Sequence, residues 1–188
     1  MGIDDARKKL LSQAYGNVLE IGVGTGLNLD SYRFVGGGAS DGDKGAVAVT
    51  SLTLVDISEG MLAVAKARAE ETCQSLLLIN GIDSSGNTSM STTTLVVPSI
   101  KFVKADATSE LISLFGENSF DTVVDTFSLC VMGNEGARKC LREMTGVLKQ
   151  GGACEISSSR FLYYSIVPWR CIPLFILFVR RYWTTILP

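Results

Sequence analysis

Short apolar runs alternate along the chain with stretches of helical spacing. Val18-Leu19-Glu20-Ile21 is apolar but for one acid and ends in glycines, the pattern of a buried parallel strand. Gly22-Val23-Gly24-Thr25-Gly26 then turns into Leu27–Tyr32, where a helix is expected. Ser51–Val55 reads as a second strand ending at Asp56. Ser58 opens a helix to about Thr72, with Met61, Leu62, Ala65 and Ala69 at helical spacing. Ile100–Val103 is a third strand leading to Ala105-Asp106-Ala107, and Phe120–Asp125 a fourth. Apolar residues recur at Ala137, Leu141, Met144 and Leu148, so Glu135–Lys149 is expected to be a helix stopped by Gly151-Gly152, before a fifth strand at Ala153–Ser157. Near the start, Asp4 and Asp5 followed by Arg7, Lys8 and Lys9 suit a short helix with acids at its positive end. Strands alternating with helices imply an α/β fold: a doubly wound, mainly parallel sheet with helices on both faces.

Two stretches depart from this pattern. Residues 36–45 hold five glycines and two aspartates, and residues 84–94 hold eight Ser or Thr. Segments 36–50 and 80–99 are therefore expected to be surface excursions outside the core. At 188 residues the chain has room for about one domain. Residues 1–160, with 14 bases and 19 acids, form that domain, while 161–188 carry three arginines and no acid. This tail is rich in aromatic residues, and its longest apolar run, Cys171–Val179, is well short of the ~20 residues needed to span a bilayer. With Arg170, Pro168 and Pro173 in its course, it reads either as a membrane-surface contact or as a segment packed on the domain.

Composition removes several kinds of chemistry. Apolar residues make up 46% and charged ones 19%, so the chain can bury a core. A net charge of −2 disfavours a nucleic-acid partner. The absence of histidine excludes Ser-His-Asp and Cys-His machinery and any His general base or ligand. Five cysteines without a C-x-x-C pair argue against a disulfide framework and against a metal site. With no apolar leader, the expected location is intracellular, cytoplasmic or organellar (mitochondria included), with peripheral membrane association through 161–188.

The glycine loop carries most of the functional information. In a doubly wound sheet, ligands bind at the carboxyl ends of the strands near the reversal of strand order. Gly22, Gly24 and Gly26 sit at such an end and let a nucleotide-like ligand approach the backbone. The third glycine lies four residues after the first, so the dinucleotide fingerprint G-x-G-x-x-G is not met, and no P-loop is present. A nicotinamide-dependent oxidoreductase would share Asp56 as a ribose ligand, but this spacing argues against it.

Glu20-Ile21-Gly22-Val23-Gly24-Thr25-Gly26 resembles motif I of class I S-adenosylmethionine-dependent methyltransferases. Leu54–Met61, Ala105-Asp106-Ala107, Phe120–Val131 and Glu143–Gly152 resemble later family elements in the same order. Asp-Thr-Phe-Ser-Leu-Cys-Val, residues 125–131, is similar to small, often membrane-associated methyltransferase-like proteins and to quinone-biosynthesis C-methyltransferases. The resemblance stops after strand five, so the family's terminal strands are expected to be missing and the sheet to end there.

The resemblance implies S-adenosyl-L-methionine as cofactor and a small-molecule methyl acceptor. It places Gly22, Gly24 and Gly26 under the methionine part and Glu20 toward the ammonium. Asp56 would take the ribose hydroxyls, or serve as a helix N-terminal acid with Ser58 as cap. Ile57 and Met61 would face the adenine. Asp106 would accept from the adenine amine beside the Ala107 amide, or be a simple loop acid. Thr126 and Phe127 would line the floor. Asp125, the candidate for a catalytic role, either sits near the cofactor or merely ends its strand. Asp121 reads as structural, and Cys130 as a small buried apolar residue.

Transfer from a sulfonium is an in-line displacement in which alignment in a dry pocket is the protein's main contribution. Without histidine, an acceptor that ionises readily, a thiol or activated carbon acid, is favoured, with Asp125 or Tyr163 available to assist. The alternative is a non-catalytic, truncated cofactor-binding module acting through its hydrophobic tail.

Overall fold

The computed structural model describes residues 3–35, 48–79, 99–158 and 161–166. Their strands are β1 (Gly16–Ile21), β2 (Val49–Asp56), β3 (Ser99–Lys104), β4 (Phe120–Thr126), β5 (Leu148–Ser158) and β6 (Phe161–Ile166). The helices are α1 (Ile3–Leu11), α2 (Glu59–Ile79), α3 (Leu111–Phe115) and α4 (Gly133–Val147). The strands form one sheet in the order β3-β2-β1-β4-β5-β6. All neighbours are parallel except β5 and β6.

Apolar residues on both faces of the strands create two cores. Val18, Leu52, Leu54 and Val124 pack with Leu11 of α1 and with Leu62, Ala65 and Ala69 of α2. Leu19, Ile21, Val55 and Val123 pack with Leu111 of α3 and with Ala137, Cys140, Met144 and Val147 of α4. A strand covered on both faces has no polar side to show, hence the near-continuous apolar runs.

Four details differ from the sequence reading. The helix expected over 27–32 is a single 3-10 turn, Leu29–Ser31, because Asn28 and Tyr32 turn inward to a buried acid. The surface excursion assigned to 36–50 ends sooner. Val49 is fully buried in β2 and bridges Phe34, and Ser99 likewise belongs to β3. Residues 36–47 and 80–98 lie outside the described residues. The helix of 135–149 is shifted: α4 ends at Val147, and Leu148 and Lys149 open β5. Gly151 and Gly152 fall inside β5, where the register with β4 slips between Phe120↔Leu148 and Thr122↔Ala153. Finally, the sheet continues past strand five. Phe161–Ile166, rich in aromatic and branched residues, pairs antiparallel with β5, with Ile166 beside Cys154. Of the 161–188 segment on which the membrane-contact reading rests, residues 167–188 lie outside the described residues.

At the slip in β5, a Cβ on Gly152 would lie 2.8 Å from the Asp121 carbonyl oxygen and 3.0 Å from that of Lys149. Backbone cannot yield as a side-chain tip can. Gly152→Ala should therefore lower stability by about 1–3 kcal/mol. An unchanged denaturation midpoint would show that the slip relaxes at no cost.

Candidate functional site

Strand order runs away from β1 in one direction and from β4 in the other, so the reversal lies between them. Ile21 is in register with Val55 and with Asp125, which brings Gly22, Asp56 and Thr126 to one edge of the sheet. Gly22 and Gly26 have φ of +63° and +77°, a conformation costly for other residues. A Cβ on Gly22 would overlap Ser128, and one on Gly26 would lie 3.1 Å from the Ala65 backbone of α2. Between them, a Cβ on Gly24 would meet nothing within 4 Å. The loop is thus clamped at both ends and open in the middle.

Asp56, half-buried at the end of β2, ties this loop to the next. Its Oδ2 accepts from the Gly24 N–H at 2.9 Å, and its Oδ1 from the Ser58 N–H at 2.8 Å. Ser58 Oγ accepts from the Met61 N–H at 3.3 Å, so Ser58 caps α2. Asp56 is therefore not the cap, and its carboxylate is held by two amides with a further lone pair on each oxygen. Beside it, Ile57 and Met61 are 67% and 44% exposed. The Ala105 N–H donates to the Asp56 carbonyl at 3.2 Å, which brings the loop after β3 to the same edge. There Asp106 accepts from the Thr108 N–H and hydroxyl at 2.8 and 2.7 Å. These bonds, the backbone one foremost, hold its carboxyl below the usual range. Asp106 therefore stabilises its own turn, beside the buried Ala107.

Glu20 is fully buried. Asn28 Nδ2 donates to its Oε1 and the Tyr32 hydroxyl to its Oε2, both at 2.7 Å. Asn28 Nδ2 also donates to Thr126 Oγ1 at 2.7 Å, linking the ends of β1 and β4. Asp125, buried as well, accepts from the Ser128 hydroxyl and from the Leu129 N–H, the latter at 3.2 Å. These bonds close the turn after β4, in which Phe127 adopts φ +71°, a strained value for a non-glycine residue. Cys130 is exposed rather than buried, with its thiol donating to the Phe127 carbonyl at 2.8 Å. Tyr163 lies in β6. Asn28, Tyr32 and Ser128 were not singled out by sequence. The available signal was Glu20 itself, since an acid within a buried strand requires donors nearby.

Burial pushes the Glu20 carboxyl up to about 7; the bonds from Tyr32 and Asn28 oppose this, and the Asp125 charge adds to it. Burial likewise raises Asp125 to about 6. Below the ordinary value of 4.5, Glu20 is protonated in both folded and unfolded chains, and as pH rises toward 7 the folded chain loses stability relative to the unfolded. Glu20→Gln should match the native chain near pH 4.5 and exceed it by ~3 kcal/mol at pH 8. A stability difference independent of pH would contradict this.

Comparison with known proteins agrees with this geometry. Residues 19–156 match the family model described as Methyltransferase domain. No curated protein matches the sequence. Among solved structures, the chain is similar to the YcgJ protein from Bacillus subtilis, with 21% identity, TM-score 0.50, and coverage of 81% of this chain and 48% of that one. It is similar to the PH0226 protein from Pyrococcus horikoshii OT3 at 20% identity and TM-score 0.51, covering 81% and 51%. The [4+2]-cyclase SpnF matches at 21% identity and TM-score 0.51, covering 81% and 44%. The chain thus spans about half the length of these structures, and identities this low show a shared fold. On the family match across most of its length, the chain belongs to the Methyltransferase domain family.

Proposed function

We propose that this chain binds S-adenosyl-L-methionine at the carboxyl edge of its sheet and transfers the methyl group to a small-molecule acceptor, a thiol or an activated carbon acid. The observation that carries the reading is Asp56. Its carboxylate is fixed by the amides of Gly24 and Ser58 and flanked by the exposed apolar Ile57 and Met61. A paired acceptor beside apolar surface suits a vicinal diol attached to a flat base. The open space over Gly24 suits the amino-acid end. The residues present therefore fit the group.

When bound, the cofactor supplies a methyl on a sulfonium, already activated for displacement. The chain's residues bind and orient it: Gly22, Gly24 and Gly26 under the methionine part, Asp56 at the ribose, Ile57 and Met61 at the adenine, with Asp106 and Ala107 at its edge. Thr126 and Phe127 line the floor, where Phe127 is held by the turn that Asp125 closes. With no histidine in the chain and Asp125 engaged in that turn, an acceptor that ionises readily is favoured over an amine. The stretch 125–131 is the ground for a finer placement among the small methyltransferase-like and quinone-biosynthesis proteins.

Asp56→Ala should weaken cofactor binding by about 1.5–3 kcal/mol, the scale of hydrogen bonds to a charged group. Calorimetric titration measures this, and equal affinity in the variant would remove Asp56 as the ribose ligand. A panel of thiols and carbon acids with labelled cofactor tests the transfer. Binding without transfer to any of them would favour the non-catalytic module.

A further inference from the structure

Exposed apolar side chains are ordinary when scattered, but here they gather at one edge of the sheet. Among the described residues seven large ones are exposed, and four of these, Leu27, Ile57, Met61 and Val131, lie just beyond the carboxyl ends of β1, β2 and β4. Ile57 and Met61 flank Asp56 on the β2 side and are assigned to the adenine above. Leu27, 53% exposed, and Val131, 82% exposed, belong to the β1 and β4 side, and the cofactor reading gives them no task. Leu27 directly follows the glycine loop, and its neighbour Asn28 donates to Thr126 Oγ1 at 2.7 Å. Val131 sits in the turn after β4, its N–H donating to the Ser128 carbonyl at 3.1 Å, and Ser128 fills the space beside Gly22. The two loops are thus joined across the reversal in strand order. Nearly one residue in five of the chain is charged, yet residues 21–29 and 126–134 hold no charge at all. The residues bounding these stretches, Glu20, Asp30, Asp125 and Glu135, are all acids. Each already has a partner: Asn28 and Tyr32 for Glu20, Thr72 for Asp30, Ser128 and Leu129 for Asp125, Lys139 for Glu135. An acceptor bearing a carboxylate or phosphate would meet no cation in either loop, and a charge taken from water without a partner is costly. An apolar body gains by covering Leu27 and Val131.

We propose that the methyl acceptor has an uncharged, apolar body that lies on Leu27 and Val131, and that these two side chains select it. This rests on the transfer reading above and names the acceptor class which that reading leaves open. Ionisation concerns the reacting atom alone, whereas selection is made by the remainder of the molecule. Leu27 and Val131 therefore discriminate by the length and charge of the acceptor's body and are indifferent to the cofactor.

The test gives the full chain S-adenosyl-L-methionine with ethanethiol, butanethiol, hexanethiol and 6-mercaptohexanoate, the last similar in length to hexanethiol but ending in a charge. A series of 1,3-diketones with the same tails covers carbon acids. The kcat/KM should rise by about two- to fourfold per methylene, the upper value being full transfer of one CH2 from water. It should fall by about tenfold or more from hexanethiol to 6-mercaptohexanoate. Leu27→Ser and Val131→Ser change exposed positions, where the effect on folding is small. Each should lower the ratio of hexanethiol to ethanethiol while S-adenosylhomocysteine affinity stays within about twofold, the precision of such titrations. Val131→Lys supplies the missing cation and should raise 6-mercaptohexanoate relative to hexanethiol. Equal kcat/KM for the neutral and charged acceptors, or a chain-length dependence unchanged in both serine variants, would overturn the proposal. If the native chain did not bind S-adenosylhomocysteine, the cofactor reading itself would fall. Binding without transfer to either series would remove the transfer reading, and this assignment with it.

Discussion

An acid at the centre of a sheet sets the local structure around it. β1 has a parallel partner on each side, and Val18 to Ile21 are fully buried, so Glu20 has no route to water. An uncompensated carboxylate there would be very costly, so donors must come from the protein. They come from the segment immediately after the glycine loop, where Asn28 and Tyr32 turn inward. That demand is met by the 3-10 turn Leu29–Ser31, with Leu29 at its start and Tyr32 just after its end both buried. The chain then passes to Phe34, which bridges the start of β2. One buried charge thus decides how the crossover begins.

The second clamp on the site lies after β4. Ser128 occupies the space that a side chain at position 22 would need, so glycine there and serine there are one packing decision. Ser128 is itself held by Asp125, whose other bond fixes the Leu129 amide. The turn that results keeps Phe127 in a left-handed conformation. Strain of this kind persists where neighbours over-determine it, here through a glycine, a serine and a buried acid from two adjacent strands.

The layers and the central strands were legible in the sequence because strands buried on both faces leave largely apolar runs, as at Leu52-Thr53-Leu54-Val55 and Val123–Val124. The residues at the edge were legible for a different reason. Glycines at a strand end and an acid two residues before a cap are local signals, and Asp56 and Ser58 needed no tertiary information. What could not be read depends on contacts distant in sequence. The inward turn of Asn28 answers Thr126 as well as the nearby Glu20, and the place of Ser128 answers Gly22, more than 100 residues away. The slip in β5 was missed for the same reason: Gly151-Gly152 looks like a helix stop until the register of β4 beside it is known. Propensity alone could not tell that Leu148 and Lys149 leave the helix, since both are good helix formers.

The fold by itself does not choose the chemistry. One of the structures it resembles is named a [4+2]-cyclase, and methyl transfer is supported by the family match and by side chains. At Asp125, side-chain geometry outweighs titration behaviour. A carboxyl raised to about 6 in a buried edge of the sheet has the profile of a general base. Yet burial is the main cause of that shift, and the same burial leaves the oxygens facing Ser128 and Leu129. A base must be able to reach the proton it takes, and Asp125 would have to release the turn that holds Phe127 in order to do so. Its raised value is therefore a by-product of a structural task. Asp125 shapes the turn that holds Phe127, and in the proposed reaction an acceptor acidic enough to lose its proton unaided needs no base from it.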